Sequence, residues 1–295
     1  WKKSVHSITA TGVFSAQKYQ YDRLYGASKD LSFNSLWYNL NGGAIESLTS
    51  NFSQWTMMSY VGRINYGLMD RYLLTASLRY DGSSRLSEGN KWAFFPSAAI
   101  AWRITEEDFA KNLDWLSNLK LRFSYGQVGN DQIASYAYAQ TLASSNRQAV
   151  FGDGTIPALY TNRMANPDIS WEVTEEFNGG LDLDMFNNRL NISVDLYTKK
   201  TKDMLLEQNL LRMSGFSKVT RNIGSVRNRG FEISVGGLII DKKDFSWNAT
   251  INFSANQSKV LSLGTENQML ESRPVGSASG TENVLIKEGY PLGLF

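Results

Sequence analysis

Residues 231–256 read FEISVGGLIIDKKDFSWNATINFSAN. Phe231, Ile233, Val235, Gly237 and Ile239 fall on every second position, a turn follows at Asp241-Lys242-Lys243-Asp244, and the apolar series resumes at Phe245, Trp247, Ala249, Ile251, Phe253 and Ala255. Between those last six stand Ser246, Asn248, Thr250, Asn252, Ser254 and Asn256, polar and uncharged without exception. A period of two is the signature of a strand, because successive side chains leave the backbone on opposite faces. The segment is therefore a long β-hairpin with one apolar and one polar face.

The same pattern repeats outward from this hairpin. Tyr60, Gly62, Ile64, Tyr66 and Leu68 alternate with Arg63 and Asn65, turn at Met69-Asp70-Arg71, and return through Tyr72, Leu74, Ala76, Leu78 and Tyr80. Ala98, Ile100, Trp102 and Ile104 make another strand, and Leu119, Leu121, Phe123 and Tyr125 the next. A further hairpin runs through Phe177, Gly179, Leu181 and Leu183, turns at Phe186-Asn187-Asn188-Arg189 and returns through Leu190, Ile192, Val194 and Leu196. With a strand over Val5 to Ala16, nine long strands result, and Val284 to Lys287 is a candidate tenth. Phe109, Leu113 and Leu116 predict a short helical turn between Glu106 and Asn118, with Thr105 and Asp108 as its N-terminal cap.

Connections alternate in length. They are short at 69–71, 185–189 and 241–244, compact at 105–118, and long at 17–58, 127–170, 200–222 and 257–283; only 82–92 breaks the trend. Short turns on one side and long loops on the other are the asymmetry of outer-membrane barrels. A soluble β-sandwich alternates apolar and polar residues too. Aromatics near strand ends (Tyr60, Tyr72, Tyr80, Tyr125, Trp171, Tyr197, Trp247) and strands longer than the usual five or six residues favour the membrane barrel.

Composition narrows the chemistry. With 30 Lys and Arg against 28 Asp and Glu the chain carries no basic field, so nucleic acid is not an expected partner. It has no cysteine and one histidine, His6, which removes disulfides, thiolate metal sites and multi-histidine zinc sites. No cofactor, no metal and no catalytic residue are expected. Glu106, Glu107 and Asp108 form the densest carboxylate cluster, and the simpler reading is that they offset a helix dipole. Loop aromatics are the better binding candidates: Trp37, Tyr38, Trp55, Tyr136, Tyr138 and Tyr160 lie among Asn, Ser and Gln, a mixture that stacks on sugar rings or holds a peptide backbone, or packs its own loops. Arg63 and Arg79, with Arg103 and Arg122, point to the polar side, where they attract acidic substrate groups or pair with carboxylates such as Asp81 and Asp195.

Eleven segments in order carry a family resemblance: SYVGRINY at 59–66, DRYLLTASLRYDGSSR at 70–85, FPS at 95–97, AWRI at 101–104, EDF at 107–109, WLSNLKLR at 115–122, NPD at 166–168 with Trp171-Glu172, KTKDMLL at 200–206, NIGSV at 222–226, NRGFE at 228–232 and EGYPLG at 288–293. In these the chain resembles the SusC/RagA family of TonB-dependent outer-membrane transporters. The resemblance implies a 22-stranded barrel around a plug. It also implies import of oligosaccharides or peptides, a SusD-like surface lipoprotein as partner and energy from the TonB complex through the plug.

At about 33 residues per strand, 22 strands need roughly 720 residues, and nothing in 1–295 resembles a plug. The expectation is an all-β, antiparallel transmembrane β-barrel fragment, nine or ten of 22 strands, with long extracellular loops, residues 1–295 forming part of a single TonB-dependent receptor barrel domain in contact with outer-membrane lipid. It would do no covalent chemistry. The rival is a secreted, soluble β-sheet protein that binds or degrades glycans, and a passive porin is a third reading.

Overall fold

The computed structural model describes residues 2–3, 5–33, 39–152, 154–264, 268–275 and 280–292. Sixteen strands occur among them: β1 Lys2–Lys3, β2 His6–Lys29, β3 Ala44–Leu68, β4 Tyr72–Ser83, β5 Trp92–Arg103, β6 Leu116–Asn130, β7 Thr141–Phe151, β8 Gly154–Arg163, β9 Glu172–Met185, β10 Leu190–Lys202, β11 Leu205–Asn209, β12 Lys218–Asn222, β13 Ser225–Lys242, β14 Phe245–Ser262, β15 Gln268–Val275 and β16 Gly280–Lys287. Ten form one sheet in the order β1-β2-β3-β4-β5-β6-β9-β10-β13-β14. Every pairing in it is antiparallel. The pairs β7–β8, β11–β12 and β15–β16 are separate two-stranded hairpins.

All nine long strands read from the period-two pattern are present, and three of the tight turns lie where the pattern breaks. Leu68 pairs with Tyr72, Met185 with Leu190, and Lys242 with Phe245. Met69 and Asp70, then Phe186, Asn187 and Asn188, take positive φ; Asn and Asp tolerate that region better than most residues, and tight reversals need it. A bulge between Leu238 and Ile240 breaks the alternation at Ile239.

Four expectations are corrected. The connection at 17–58 is mostly strand: β2 and β3 remain paired from His6–Leu68 to Lys29–Ala44, and of the described residues between them 30–33 and 39–43 lie outside strands. Of the other long connections, 127–170 and 200–222 likewise contain the β7–β8 and β11–β12 hairpins, and 257–283 holds β15 and the start of β16. The tenth strand of the sheet is β1, whereas Val284 to Lys287 belongs to β16, outside the sheet. The helical turn is one 3-10 turn at Ile104–Glu106, capped by Arg103 without a side-chain hydrogen bond, so Thr105 is not its cap.

Among the described residues the apolar face of the sheet packs against no core. Ile251, Phe253 and Leu196 are 72%, 60% and 60% exposed, with Ile64, Ile100, Phe123 and Phe177 comparably bare. Burying each from water is worth about 1.5–3 kcal/mol, and a contiguous apolar face of this extent is a contact surface. Registers put these residues on one face: Ile64 faces Ala76, Leu74 faces Ile100, Phe123 faces Gly179, Leu196 faces Phe231 and Ile233 faces Phe253. Aromatic rings border the band. Tyr60 and Tyr80 stack on Trp92 at one end, Tyr72 on Trp102 at the other. Trp92 and Trp102 are ten residues apart on β5, which at about 3.3 Å per residue and a tilt near 40° spans about 25 Å. That is the height of the apolar band of an outer-membrane barrel.

Buried apolar clusters occur at and beyond the Trp92 end instead, with Phe95 of β5 and Val226 and Val260 of β13 and β14 as the sheet's contributions. Leu86, Phe95, Ala137, Ile169 and Trp171 form one, and Val226, Val260 and Leu263 a second.

Candidate functional site

The polar face carries a charge ladder. Arg122 on β6 reaches Asp182 on β9 with two bonds of 2.8 Å and Asp195 on β10 at 3.2 Å. Ser193 donates to Asp182 at 3.2 Å, and Asn118 and Asn191 donate to Asp184 at 3.0 and 2.7 Å. Gly180 is the residue that makes room, since a Cβ there would lie 2.7 Å from Arg122 Cζ. Arg79 pairs with Asp81 and donates to Ser59 at 3.2 Å. Arg103 reaches Glu106 at 2.8 Å and the carbonyl of Asp70 at 3.1 Å. Pairing with carboxylates thus engages three of the four arginines, while Arg63 has no ion pair among the described residues.

Past the band, β2 and β3 continue as a two-stranded arm. On its polar-side face Tyr19 stacks on Trp55 with centroids 5.6 Å apart, and the Arg85 guanidinium lies 4.4 Å from the Trp55 centroid. Tyr21, Arg23 and Tyr25 follow at alternate positions of the same strand face, Arg23 lying over Tyr25 at 5.6 Å. The arm is tied to neighbouring segments: Thr56 and Ser84 exchange bonds of 2.8 and 3.0 Å and Ser53 donates to Ser135 at 3.1 Å, while Ser83 at the end of β4 donates to Asp131 at 2.6 Å. The DGSSR stretch at 81–85 is therefore a staple. Asp81 itself is only 4% exposed.

The sequence candidates divide accordingly. Trp55 stands on the arm, and its contact to Tyr19 and Arg85 is intramolecular. Tyr138 packs against the Leu86–Trp171 cluster. Tyr136, with φ of 63°, and Tyr160 on β8 are exposed at 43% and 51%. The Ser53–Ser135 bond brings the Tyr136 loop beside Trp55, whereas Tyr160 stands on the separate β7–β8 hairpin. Trp37 and Tyr38 lie outside the described residues. Tyr19, Tyr21, Arg23 and Arg85 were not singled out from sequence. Tyr19, Tyr21 and Tyr25 do alternate with Lys18, Gln20 and Leu24, a signal hidden by reading 17–58 as a loop.

At the opposite end Glu107 gathers three donors. Its Oε1 accepts from Tyr72 at 2.7 Å and from Trp102 Nε1 at 3.1 Å, and its Oε2 from Arg71 at 2.9 Å. Those bonds, the tyrosine's first, hold the Glu107 carboxyl below the usual carboxylate range. Lys111, 2.7 Å away, lowers Asp108 in the same way. The carboxylate cluster thus anchors rim aromatics to a turn.

An antiparallel wall with a lipid-height apolar face, aromatic borders and a wet, charge-paired inner face is a transmembrane β-barrel wall. Residues 4–281 match the family model described as TonB dependent receptor-like, beta-barrel, and the chain belongs to that family of outer-membrane proteins. It is 36% identical over 293 residues to TonB-dependent receptor P3 of Formosa agariphila, covering 98% of this chain and 29% of the relative. It is 39% identical over 212 residues to TonB-dependent receptor SusC of Bacteroides thetaiotaomicron, 70% of this chain and 21% of that one. Among solved structures, the RagAB peptide transporter superposes with a TM-score of 0.86 at 29% identity, covering 98% of this chain and 31% of the matched one. The chain therefore spans under a third of the length of these relatives.

Proposed function

We propose that this chain is the wall and extracellular arm of an energised outer-membrane importer of oligosaccharides or peptides, working with a TonB complex through a plug and with a SusD-like surface lipoprotein. The carrying observation is the arm formed by β2 and β3, whose polar-side face presents Tyr19, Tyr21, Tyr25 and Trp55 beyond the apolar band with Arg23 and Arg85 beside them. Flat rings with interleaved cations suit sugar faces and peptide backbones. Trp55, Tyr136, Tyr138, Tyr160, Arg63 and Arg79 keep their proposed substrate role, as do Trp37 and Tyr38; exposure favours Tyr136 and Tyr160, and lack of an ion pair favours Arg63. The similarity to the RagAB peptide transporter supports a peptide, while the sequence resemblance to the SusC/RagA family keeps an oligosaccharide as the other class. No covalent step is assigned to any residue, in keeping with relatives that are receptors and transporters.

The test is uptake of labelled oligosaccharides and peptides by cells carrying the full-length protein, with and without TonB. TonB-dependent accumulation of one class supports the proposal, and equal passive entry of both overturns it.

A further inference from the structure

Continuous registers join β9, β10, β13 and β14 near the far end of the apolar band, so residues in one row share a face. Leu196, Phe231 and Ala255 form one such row on the lipid face. Two residues further along each strand stand Thr198, Arg229 and Gln257, and two further again Lys200, Arg227 and Lys259. Three cations thus sit directly opposite one another on the outer side of the wall, where like charges oppose folding unless something neutralises them. Glu175 pairs with Lys200 in register, yet its carboxylate is bound to Lys202 at 2.7 Å. Arg229 donates at 2.9 and 2.6 Å to the neutral oxygen of Gln257. Among the described residues no carboxylate lies within ion-pair distance of Lys200, Arg227, Arg229 or Lys259.

Height places this patch. Trp247 borders the band at the tight-turn end of β14, and Gln257 is ten residues above it and Lys259 twelve. At about 3.3 Å per residue and a tilt near 40°, those distances are roughly 25 and 30 Å. Arg229 therefore stands at the edge of the hydrocarbon and Lys200, Arg227 and Lys259 in the head-group layer beyond. Directly beneath them the lipid face holds an open groove of about 980 Å³, lined by Phe123, Phe177, Leu196 and Phe231, with Gly179 as its floor and Arg229 at its upper end.

We infer that this groove and the cation row bind a phosphorylated glycolipid of the outer leaflet, its acyl chain along the groove and its phosphates on Lys200, Arg227, Arg229 and Lys259. Apolar trough and cations meet in the order that an acyl chain and a phosphorylated sugar head present them. The cations face away from the inner wall, so the site is distinct from the proposed substrate path and rests only on the membrane placement of the wall.

The test uses the full-length protein purified in detergent, with diphosphorylated lipid A and its enzymatically dephosphorylated form as probes and bound lipid counted by native mass spectrometry. Diphosphorylated lipid A should bind the wild type, and K200Q/R227Q/K259Q should bind it at least about tenfold more weakly. The inner-face control K199Q should match the wild type. Heat-modifiable electrophoretic migration checks that each variant is a folded barrel; should the triple variant fail it, K259Q on β14 alone is expected to weaken binding about threefold. Unchanged binding by the variants, equal binding of dephosphorylated lipid A, or displacement of lipid A by inorganic phosphate would each overturn the assignment. So would protection of the row by an acidic protein partner in the isolated complex.

Discussion

Glu107 joins Tyr72 from one strand, Trp102 from the next and Arg71 from the turn between strands, across 35, 5 and 36 positions of sequence. Its carboxyl is held below its ordinary range, so its contribution is complete above an unfolded carboxylate pKa of about 4.3 and lost as pH falls through the lower folded value. Glu107→Gln is expected to lower the thermal midpoint of the folded barrel at pH 7, with the gap to the wild type narrowing as pH falls below the ordinary carboxylate range, measured by heat-modifiable migration. A gap independent of pH would contradict that. On the inner wall, Arg122→Ala leaves Asp182 and Asp195 without their shared cation at a cost of about 1–2 kcal/mol. Gly180→Val drives a side chain into the same guanidinium. The two losses, measured by urea unfolding, should overlap rather than add.

At the scale of strands and hairpins, the two faces of β14 have opposite tolerances. Ile251 stands near the middle of the apolar band, between Trp247 and Gln257, and Ile251→Arg should cost about 2–4 kcal/mol of folding stability in bilayers. Asn252→Arg, on the neighbouring inner-face position, should cost little, and equal costs would refute the assignment of faces. The β2–β3 arm makes a different demand. Removing its outer part, residues 20–53, should leave a folded barrel by migration while cutting uptake severely; unchanged uptake would remove the arm from the substrate path.

The elements legible in sequence are those crossing the lipid band, because there each outward residue must be apolar and each inward one wet. β14 shows this residue by residue from Phe245 to Ala255. Beyond the band neither face is constrained so, and Gln17-Lys18-Tyr19-Gln20-Tyr21-Asp22 has polar residues on both faces of a strand that the structure continues to Lys29. Tight turns were legible from Asn and Asp, whereas the Glu107 hub was not, since its donors are distant in sequence and the three consecutive acids looked like a helix start. Of the site, the inward arginines were legible by alternation. The Tyr19–Trp55–Arg85 contact was hidden by the extended arm.

For the whole molecule, the sheet has largely open edges among the described residues: β2 meets β1 only at His6 and Ser7, and β13 is the one strand paired with β14, whose other edge is bonded by backbone at Val260 to Gly289 and Tyr290. Unpaired backbone is costly in lipid and adhesive in water. Residues 1–295 expressed alone should therefore yield aggregate rather than a soluble, cooperatively melting monomer, as sedimentation and thermal scans would reveal. The relatives it matches are more than three times its length.

The central claim is that the apolar face meets lipid and the polar face meets water. It is tested most directly by single nitroxide labels at residues 250 to 255 of the full-length protein in bilayers, on a background free of other cysteines. Labels at 251, 253 and 255 should be accessible to oxygen and shielded from a water-soluble nickel reagent, with 250, 252 and 254 the reverse. Uniform accessibility, or apolar positions shielded from both reagents as in the core of a soluble sandwich, would contradict the account.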